Sequence, residues 1–410
     1  PARRRGEPGL YMRTRTTVGA LPLLSPISGR ADFGVVIRPR FAWSSAGEML
    51  AGTGFRVVPE LLPLPCPPHS ERQVPPWVLS SVVLTRLRAL LDAMQRRFAL
   101  CTEDTRAPRG RVDWARYACT RMAVGRALEV PSTFPDLRDD DELRAAMLWV
   151  VRRHRASLLE QPVGGAIVRR LLVLCDELVT RLAGVVARPP GGTLRRTWTQ
   201  RPLTPRVFRE GLQAIDWTLD ARGLAGMSDL AGLPWRMDME VFFEAWVEAI
   251  AAQAARRTGA TLRVGRCNET RVPVDWIPPH TGSQRALVPD LVLQRPDVVL
   301  VLDAKYKRHA EDIERLGWAA TPESLREQHR HDVLQALAYA SLYEAPRVVA
   351  CLVYPADPTR WQDMVARGRA LSRATLRTGA RAVELALLAV PLSGDAGGAA
   401  EAMERLFAAA

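Results

Sequence analysis

The chain has 410 residues, 47% of them hydrophobic, with 57 Lys and Arg against 44 Asp and Glu, for a formal charge of +13. That length exceeds one compact core and predicts two or three domains, and the apolar content excludes a chain disordered throughout. The basic excess, mostly arginine, points to a polyanion such as nucleic acid, because a planar guanidinium meets phosphate with two parallel hydrogen bonds. No apolar run approaches the roughly 18 residues that a membrane span needs. The cysteines (Cys66, Cys101, Cys119, Cys175, Cys267 and Cys351) form no C-x-x-C pair. This gives no zinc or iron–sulfur signature and fits reduced thiols in a cytoplasmic protein.

Residues 1–16 carry Arg3, Arg4, Arg5, Arg13 and Arg15 without an apolar stretch, and read as a basic arm rather than a secretory signal. Residues 17–110 read as a small β-containing domain, with β-type runs at Phe33–Ile37 and Phe55–Val58 and a helix near 77–99 after Pro75-Pro76. Residues 111–187 read as a helical segment. One helix opens at Asp113-Trp114, a second begins with the acids of Asp139–Glu142, which complement the helix dipole, and a third spans about 163–186. Residues 188–203, with Pro189-Pro190-Gly191-Gly192, read as a linker. Residues 204–410 then alternate: helices near 204–220 and 235–257, a strand and a hairpin, a helix near 323–344, a strand at 348–354, a helix near 358–372, a strand at 382–390 and a last helix. That order predicts an α/β domain with a mixed sheet.

The strongest segment lies in the hairpin. Val288-Pro289-Asp290-Leu291-Val292-Leu293 and Val298 to Lys305 are apolar β-type runs flanking the turn Gln294-Arg295-Pro296-Asp297. Pairing about that turn sets residues whose numbers sum to about 593 opposite one another, so Asp290 falls opposite Asp303. Alternation along the strand puts Asp303 and Lys305 on one face and turns Ala304 away. Two carboxylates beside each other on buried strands repel at a cost of several kcal/mol unless something compensates. A divalent cation does so, and oxygen ligands without nearby histidines suit Mg²⁺ or Mn²⁺ better than zinc. The alternative is a salt bridge between Lys305 and one aspartate. In the helix near 235–257, Glu240 and Glu244 stand one turn apart, and either can add a ligand or belong to a solvated face. Gln335 and Tyr339 share a helix face four residues apart. Arg152-Arg153-His154-Arg155 and Arg195-Arg196 suit solvated faces or contacts to DNA. His329 and His331 have no metal-ligand spacing.

Phe243-Glu244, Pro289-Asp290, Asp303-Ala304-Lys305-Tyr306-Lys307, Asp332-x-x-Gln335-x-x-x-Tyr339 and Leu352-Val353-Tyr354-Pro355 together resemble the PD-(D/E)xK nuclease superfamily, in particular McrC-type subunits of modification-dependent restriction systems. The resemblance covers about residues 235–392. Weaker matches upstream are Gly110-Arg111-Val112-Asp113 and Ile37-Arg38-Pro39-Arg40. It implies a restriction-endonuclease-like mixed sheet flanked by helices, and a Mg²⁺- or Mn²⁺-dependent deoxyribonuclease. Asp290, Asp303, Glu244 and the Ala304 carbonyl would hold metal, Lys305 would orient the attacking water, and Gln335 and Tyr339 would match the motif of RecB-like nucleases. It further implies a hetero-oligomer with a McrB-like AAA+ NTPase acting on DNA in restriction or anti-phage defence. Two other readings stay open: a scaffold or activator of an AAA+ motor that does not cut, and a stand-alone RecB-like repair nuclease.

Overall fold

The computed structural model describes residues 16–62, 64, 75–94, 97–138, 140–161, 165–192, 196, 198, 205–220, 233–278, 280, 282–307, 309–378 and 381–408. Nearly all of the expected basic arm and much of the expected linker lie outside them. In chain order, β1 (Thr17–Leu24) and β2 (Ala31–Ile37) precede α1 (Trp43–Gly52), β3 (Glu60–Leu61) and α2 (Trp77–Ala93). Next come β4 (Arg97–Thr105), β5 (Arg111–Val112), α3 (Trp114–Thr120) and β6 (Val130–Arg138). The helices α4 (Asp141–Leu159), α5 (Gly165–Arg181) and α6 (Arg206–Leu219) follow. The last part holds β7 (Trp235–Asp238), α7 (Met239–Thr258), β8 (Thr261–Val264), β9 (Val272–Pro273), β10 (Ala286–Leu287), β11 (Leu291–Gln294) and β12 (Val298–Ala304). It ends with α8 (His309–Leu316), α9 (Glu323–Ala340), β13 (Arg347–Ala356), α10 (Pro358–Ala366), β14 (Leu371–Thr378), β15 (Arg381–Pro391) and α11 (Ala396–Glu404). Among the described residues no helix is long and apolar enough to cross a membrane.

The chain divides into two compact units that interleave along the sequence. One gathers the residues up to Val78, those at 165–167 and those from Leu233 onward; the other gathers residues between Leu79 and Asp220. The sequence reading runs its domains consecutively, with 17–110 apart from 204–410, and the contacts do not follow that order. The reason is β7, which pairs antiparallel with β1 on one edge and β3 on the other, in the sheet β2-β1-β7-β3. A strand two hundred residues downstream thus completes the N-terminal sheet. Local elements differ too. Phe55–Val58 is turn rather than strand, 97–105 is strand rather than helix end, and the helix begun at Trp235 is a strand followed by a helix.

The unit from Leu79 to Asp220 packs apolar helix faces, including Leu84, Leu87, Leu90, Met147 and Leu158, all buried. It also carries the antiparallel sheet β4-β6-β5. His154 is buried there between Ser80 Oγ, 3.0 Å from Nδ1, and Thr218 Oγ1, 3.0 Å from Nε2. Thr218 donates its own hydrogen to the Ala214 carbonyl at 3.0 Å, so it accepts from Nε2–H and Ser80 donates to Nδ1. The ring is neutral and fully partnered, and burial, with the Arg153 charge second, pushes its pKa down to about 4.

The other unit is built on a mixed six-stranded sheet, β14-β15-β13-β12-β11-β8. β12, β13 and β15 run parallel in the middle, with antiparallel strands at both sides. Central parallel strands are buried on both faces and read as unbroken apolar runs; every residue of β12 is buried. One face carries α9, whose Ala336 and Ala340 pack with Ala350, Leu352 and Tyr354, and whose Tyr339 packs with Val292, Val299 and Val301. α7 packs with α11 and touches β11 and β12, and Trp246 Nε1 donates to the Pro391 carbonyl at 3.0 Å. Asp238 caps α7, accepting from the backbone of Glu240 at 2.8 Å, and Gly259 ends it in the left-handed region at φ 67°.

Candidate active site

The register of the central hairpin is the one its numbering predicts. Leu291 pairs with Leu302, Val292 with Val301, Leu293 with Leu300 and Gln294 with Val299, each pair summing to 593. One further step sets Asp290 against Asp303. Val299 and Val301 face α9, so alternation sends Asp303 and then Lys305 the same way, while Tyr306 turns to the α7 side and meets Phe243 at 5.9 Å between ring centroids. Lys305 lies one residue past β12 but extends its ladder, its backbone N–H donating to the Val353 carbonyl at 2.9 Å.

Asp290 is anchored from two sides. Its Oδ2 accepts the Ala304 backbone N–H at 2.8 Å, and its carbonyl accepts from Gly265 N–H at 2.8 Å. Thr270 Oγ1 donates to the neighbouring Pro289 carbonyl at 2.6 Å. Ala304 therefore contributes its amide to the site. Lys305 Nζ lies 2.8 Å from Asp303 Oδ2 and donates to Gln335 Oε1 at 3.0 Å; Gln335 Nε2 in turn donates to the Tyr339 hydroxyl at 3.1 Å. The four groups form one chain from β12 to α9. Beside it, buried Asp332 accepts from Lys307 Nζ at 2.6 Å and from the Tyr354 hydroxyl at 3.4 Å, and His329 Nδ1 lies 3.2 Å from that hydroxyl.

Of the two glutamates that the spacing left equal, Glu244 faces this centre. Glu240 is exposed, whereas Glu244 is half-buried and feels the charges of Lys305 and Asp303. Burial first, and Glu240 second, raise its pKa. Burial and the Asp303 charge push Asp290 up to about 8, and burial raises Asp303 despite the Lys305 ammonium beside it. For Lys305 burial works to lower the pKa, but the contact with Asp303 and the charges of Asp290 and Asp332 outweigh it, so the ammonium is held charged.

Asp303 Oδ2 is fully buried, with the Lys305 ammonium 2.8 Å from it. A buried carboxylate oxygen facing another carboxylate, with only a cation for company, is the donor set that a hard divalent metal completes. Among the described residues no three His, Cys, Asp or Glu side chains are drawn into ligand geometry together; Lys305 stands where the second aspartate would be neutralised. The residues that fit a metal by chemistry are Asp290 and Asp303, with Glu244 behind them.

Three further features escaped the sequence reading. Arg40, 266 residues before Tyr306, stacks on its ring at 4.3 Å and donates to its hydroxyl at 3.4 Å. Lys307 and Asp332 pair beside the main chain of contacts. Arg56 and Arg266 both hold buried Glu248. Arg40 stood in the Ile37–Arg40 run and Lys307 and Asp332 in the motifs of the resemblance, but nothing in the sequence paired them; Arg56, Arg266 and Glu248 gave no signal.

The site defines a class: a mixed α/β domain that opposes two buried aspartates across a hairpin and sets a lysine against one of them. Residues 233–355 match the family described as McrBC 5-methylcytosine restriction system component, the span that carries Glu244, Asp290, Asp303, Lys305, Gln335 and Tyr339. No curated protein matches the chain by sequence. Two solved assemblies from Thermococcus gammatolerans contain similar chains. One is a half-complex of a tetradecameric assembly of McrB AAA+ hexamers with bound McrC, at 14% identity and TM-score 0.41, covering 97% of this chain and 84% of that one. The other is the McrBC complex, at 14% identity and TM-score 0.28, covering 59% and 67%.

Proposed function

We propose that the chain is the cutting subunit of a restriction complex, a PD-(D/E)xK deoxyribonuclease on a restriction-endonuclease-like sheet, driven by a McrB-like AAA+ NTPase. The observation that carries the reading is the buried pair Asp290 and Asp303, opposed across the hairpin with the Lys305 ammonium 2.8 Å from Asp303 Oδ2. A retired site would be free to lose charges that are expensive to bury.

Asp290, Asp303 and Glu244 would hold Mg²⁺ or Mn²⁺. The cation supplies charge neutralisation at the phosphate and lowers the pKa of water in its shell. The chain's own groups do the rest. Ala304 N–H and the Gly265–Asp290 backbone bond fix the Asp290 carboxylate before substrate arrives. Lys305, kept charged and aimed by Gln335, orients the attacking water and stabilises the charge that grows on the phosphate oxygens. Tyr339 fixes the Gln335 amide, and so gives Lys305 a second partner beside Asp303.

The test is a plasmid cleavage assay with the chain, its motor partner and GTP or ATP, in Mg²⁺ or EDTA. Cutting that needs both the nucleotide and the divalent ion is expected. Nucleotide turnover stimulated by the chain, with plasmid intact in Mg²⁺ and in Mn²⁺, would instead make it an activating scaffold.

A further inference from the structure

A cavity of about 440 Å³ is lined by Glu244 and Asp290 of the candidate site and by Arg56, Arg266 and Glu248. Glu248 is the odd member. Its side chain is 6% exposed, one helical turn after Glu244 and beside the buried Ala245 and Ala251, and it is ion-paired with two arginines at once. Arg266 binds it through both Nε, at 2.8 Å, and Nη2, at 2.9 Å, while Arg56 reaches it through Nη1. One arginine is enough to neutralise one carboxylate. The second leaves a net positive charge, and a buried ion pair is seldom the most stable filling for such a position.

Both guanidiniums stay about half exposed, at 45% for Arg56 and 52% for Arg266, so each keeps N–H groups on the cavity side while Glu248 holds its plane. The chain also holds an unfavourable conformation to bring Arg56 there. Phe55, immediately before it, has φ 60°, a left-handed value that an aromatic residue seldom adopts. Such outliers persist where surrounding structure fixes them, often at binding sites. Arg266 is set by the turn after β8, whose Gly265 lies against Pro289 so closely that a Cβ would sit 2.3 Å from its carbonyl oxygen. The same turn fixes Asp290 and Arg266 together.

We propose that Arg56 and Arg266, preorganised by Glu248, form a seat for a DNA backbone phosphate next to the one being cut. The carboxylates of Asp290, Asp303 and Glu244 offer a backbone phosphate no donor. Two fixed guanidiniums at their border hold the neighbouring phosphate by charge-assisted hydrogen bonds, without reading sequence. This seat rests on the nuclease reading for its purpose, though its affinity for DNA does not depend on cutting.

The experiment uses the full chain in EDTA with a short fluorescent duplex, following anisotropy against salt, alongside melting temperature and cleavage kinetics in the complete assembly. Arg56→Ala and Arg266→Ala each leave the other arginine on Glu248. Each is expected to weaken binding about tenfold and to reduce the slope of log affinity against log salt by about one, with melting temperature little changed. Arg266→Lys is expected to recover the slope and only part of the affinity, because it restores charge without the fork. In cleavage, the loss is expected mainly in KM. Wild-type affinity and salt slope in both alanine variants would overturn the seat. So would an affinity loss that only follows a fall in melting temperature with the slope intact. If wild type binds with the expected arginine dependence but never cuts, the nuclease reading fails and the seat stands. If wild type cuts and the arginine variants are indistinguishable from it, the seat alone fails.

Discussion

Asp303 and Asp290 are a repelling pair, with Asp290 held near a pKa of about 8 by burial and by its partner. Removing one charge should therefore relieve the metal-free protein. In EDTA, Asp290→Asn, which leaves the Lys305–Asp303 ion pair in place, is expected to melt at or above the wild-type temperature. Added Mg²⁺ should raise wild type, since a ligand that binds only the folded state stabilises it, and should leave the variant unmoved. Differential scanning fluorimetry checks both halves; a variant that melts lower in EDTA and responds equally to Mg²⁺ would contradict the pair's role. Lys305 has two partners, so its alignment can be graded. Gln335→Ala takes away a direct hydrogen bond and is expected to slow cutting about tenfold, whereas Tyr339→Phe takes away only the acceptor behind it and is expected to cost a fewfold change. Equal effects in single-turnover rates would mean that the relay through Gln335 does not exist. The aspartates and Lys305 were legible in the sequence because a four-residue turn and a period of two fix which side chains oppose. Glu244 was half legible: helical spacing alone cannot say which of two glutamates, one turn apart, looks inward.

At the scale of elements, the turn after β8 controls the hairpin. Gly265 has no room for a Cβ, which would meet the Pro289 carbonyl oxygen at 2.3 Å and Asp290 O at 3.1 Å. Gly265→Ala must push the Pro289–Asp290 backbone aside. It is expected to destabilise by about 1–3 kcal/mol and to lower the cleavage rate by more than that loss of stability explains, read from melts and rates side by side. The elements that the sequence concealed share physical reasons. β4 is polar along Thr102-Glu103-Asp104-Thr105, so nothing in it marked the end of the preceding helical pattern. β14 alternates Arg373 and Arg377 with apolar residues directly after α10, and the break falls at Gly368, whose φ is 67°. α1 lacks a side-chain cap at Ala42, so its start carried no signal. The strands β12, β13 and β15 were plain because a buried parallel strand is a continuous apolar run.

At the scale of the molecule, two results bear on how the chain is handled. The first is that β7 lies between β1 and β3, so a fragment beginning near residue 204 loses both neighbours of that strand along with Arg40 and Arg56. Residues 204–410 expressed alone are expected to aggregate or remain loosely packed, exposing an unpaired strand at each edge, and to recover when residues 1–78 are supplied in the same cell; circular dichroism and sedimentation check this. Linear reading could not see that pairing, since nothing in Trp235–Asp238 names its partner. The second concerns pH. His154 has a folded pKa of about 4 against an ordinary value of 6.5. Its neutral form is the one the fold binds, so its contribution is complete above pH 6.5 and is lost as pH falls from there toward 4. His154→Gln is expected to flatten that part of the stability profile in urea melts; a profile unchanged by the variant would place the acid sensitivity elsewhere.

The central claim is that Asp303 belongs to the cutting centre and not to the assembly of the complex. Its most direct measurement is single-turnover plasmid cleavage by the assembled complex, wild type against Asp303→Asn, with nucleotide turnover recorded in the same tubes. The account predicts a loss of cutting of at least about 10²-fold with stimulated turnover unchanged. Cutting at the wild-type rate by the variant, with the complex intact, would contradict it.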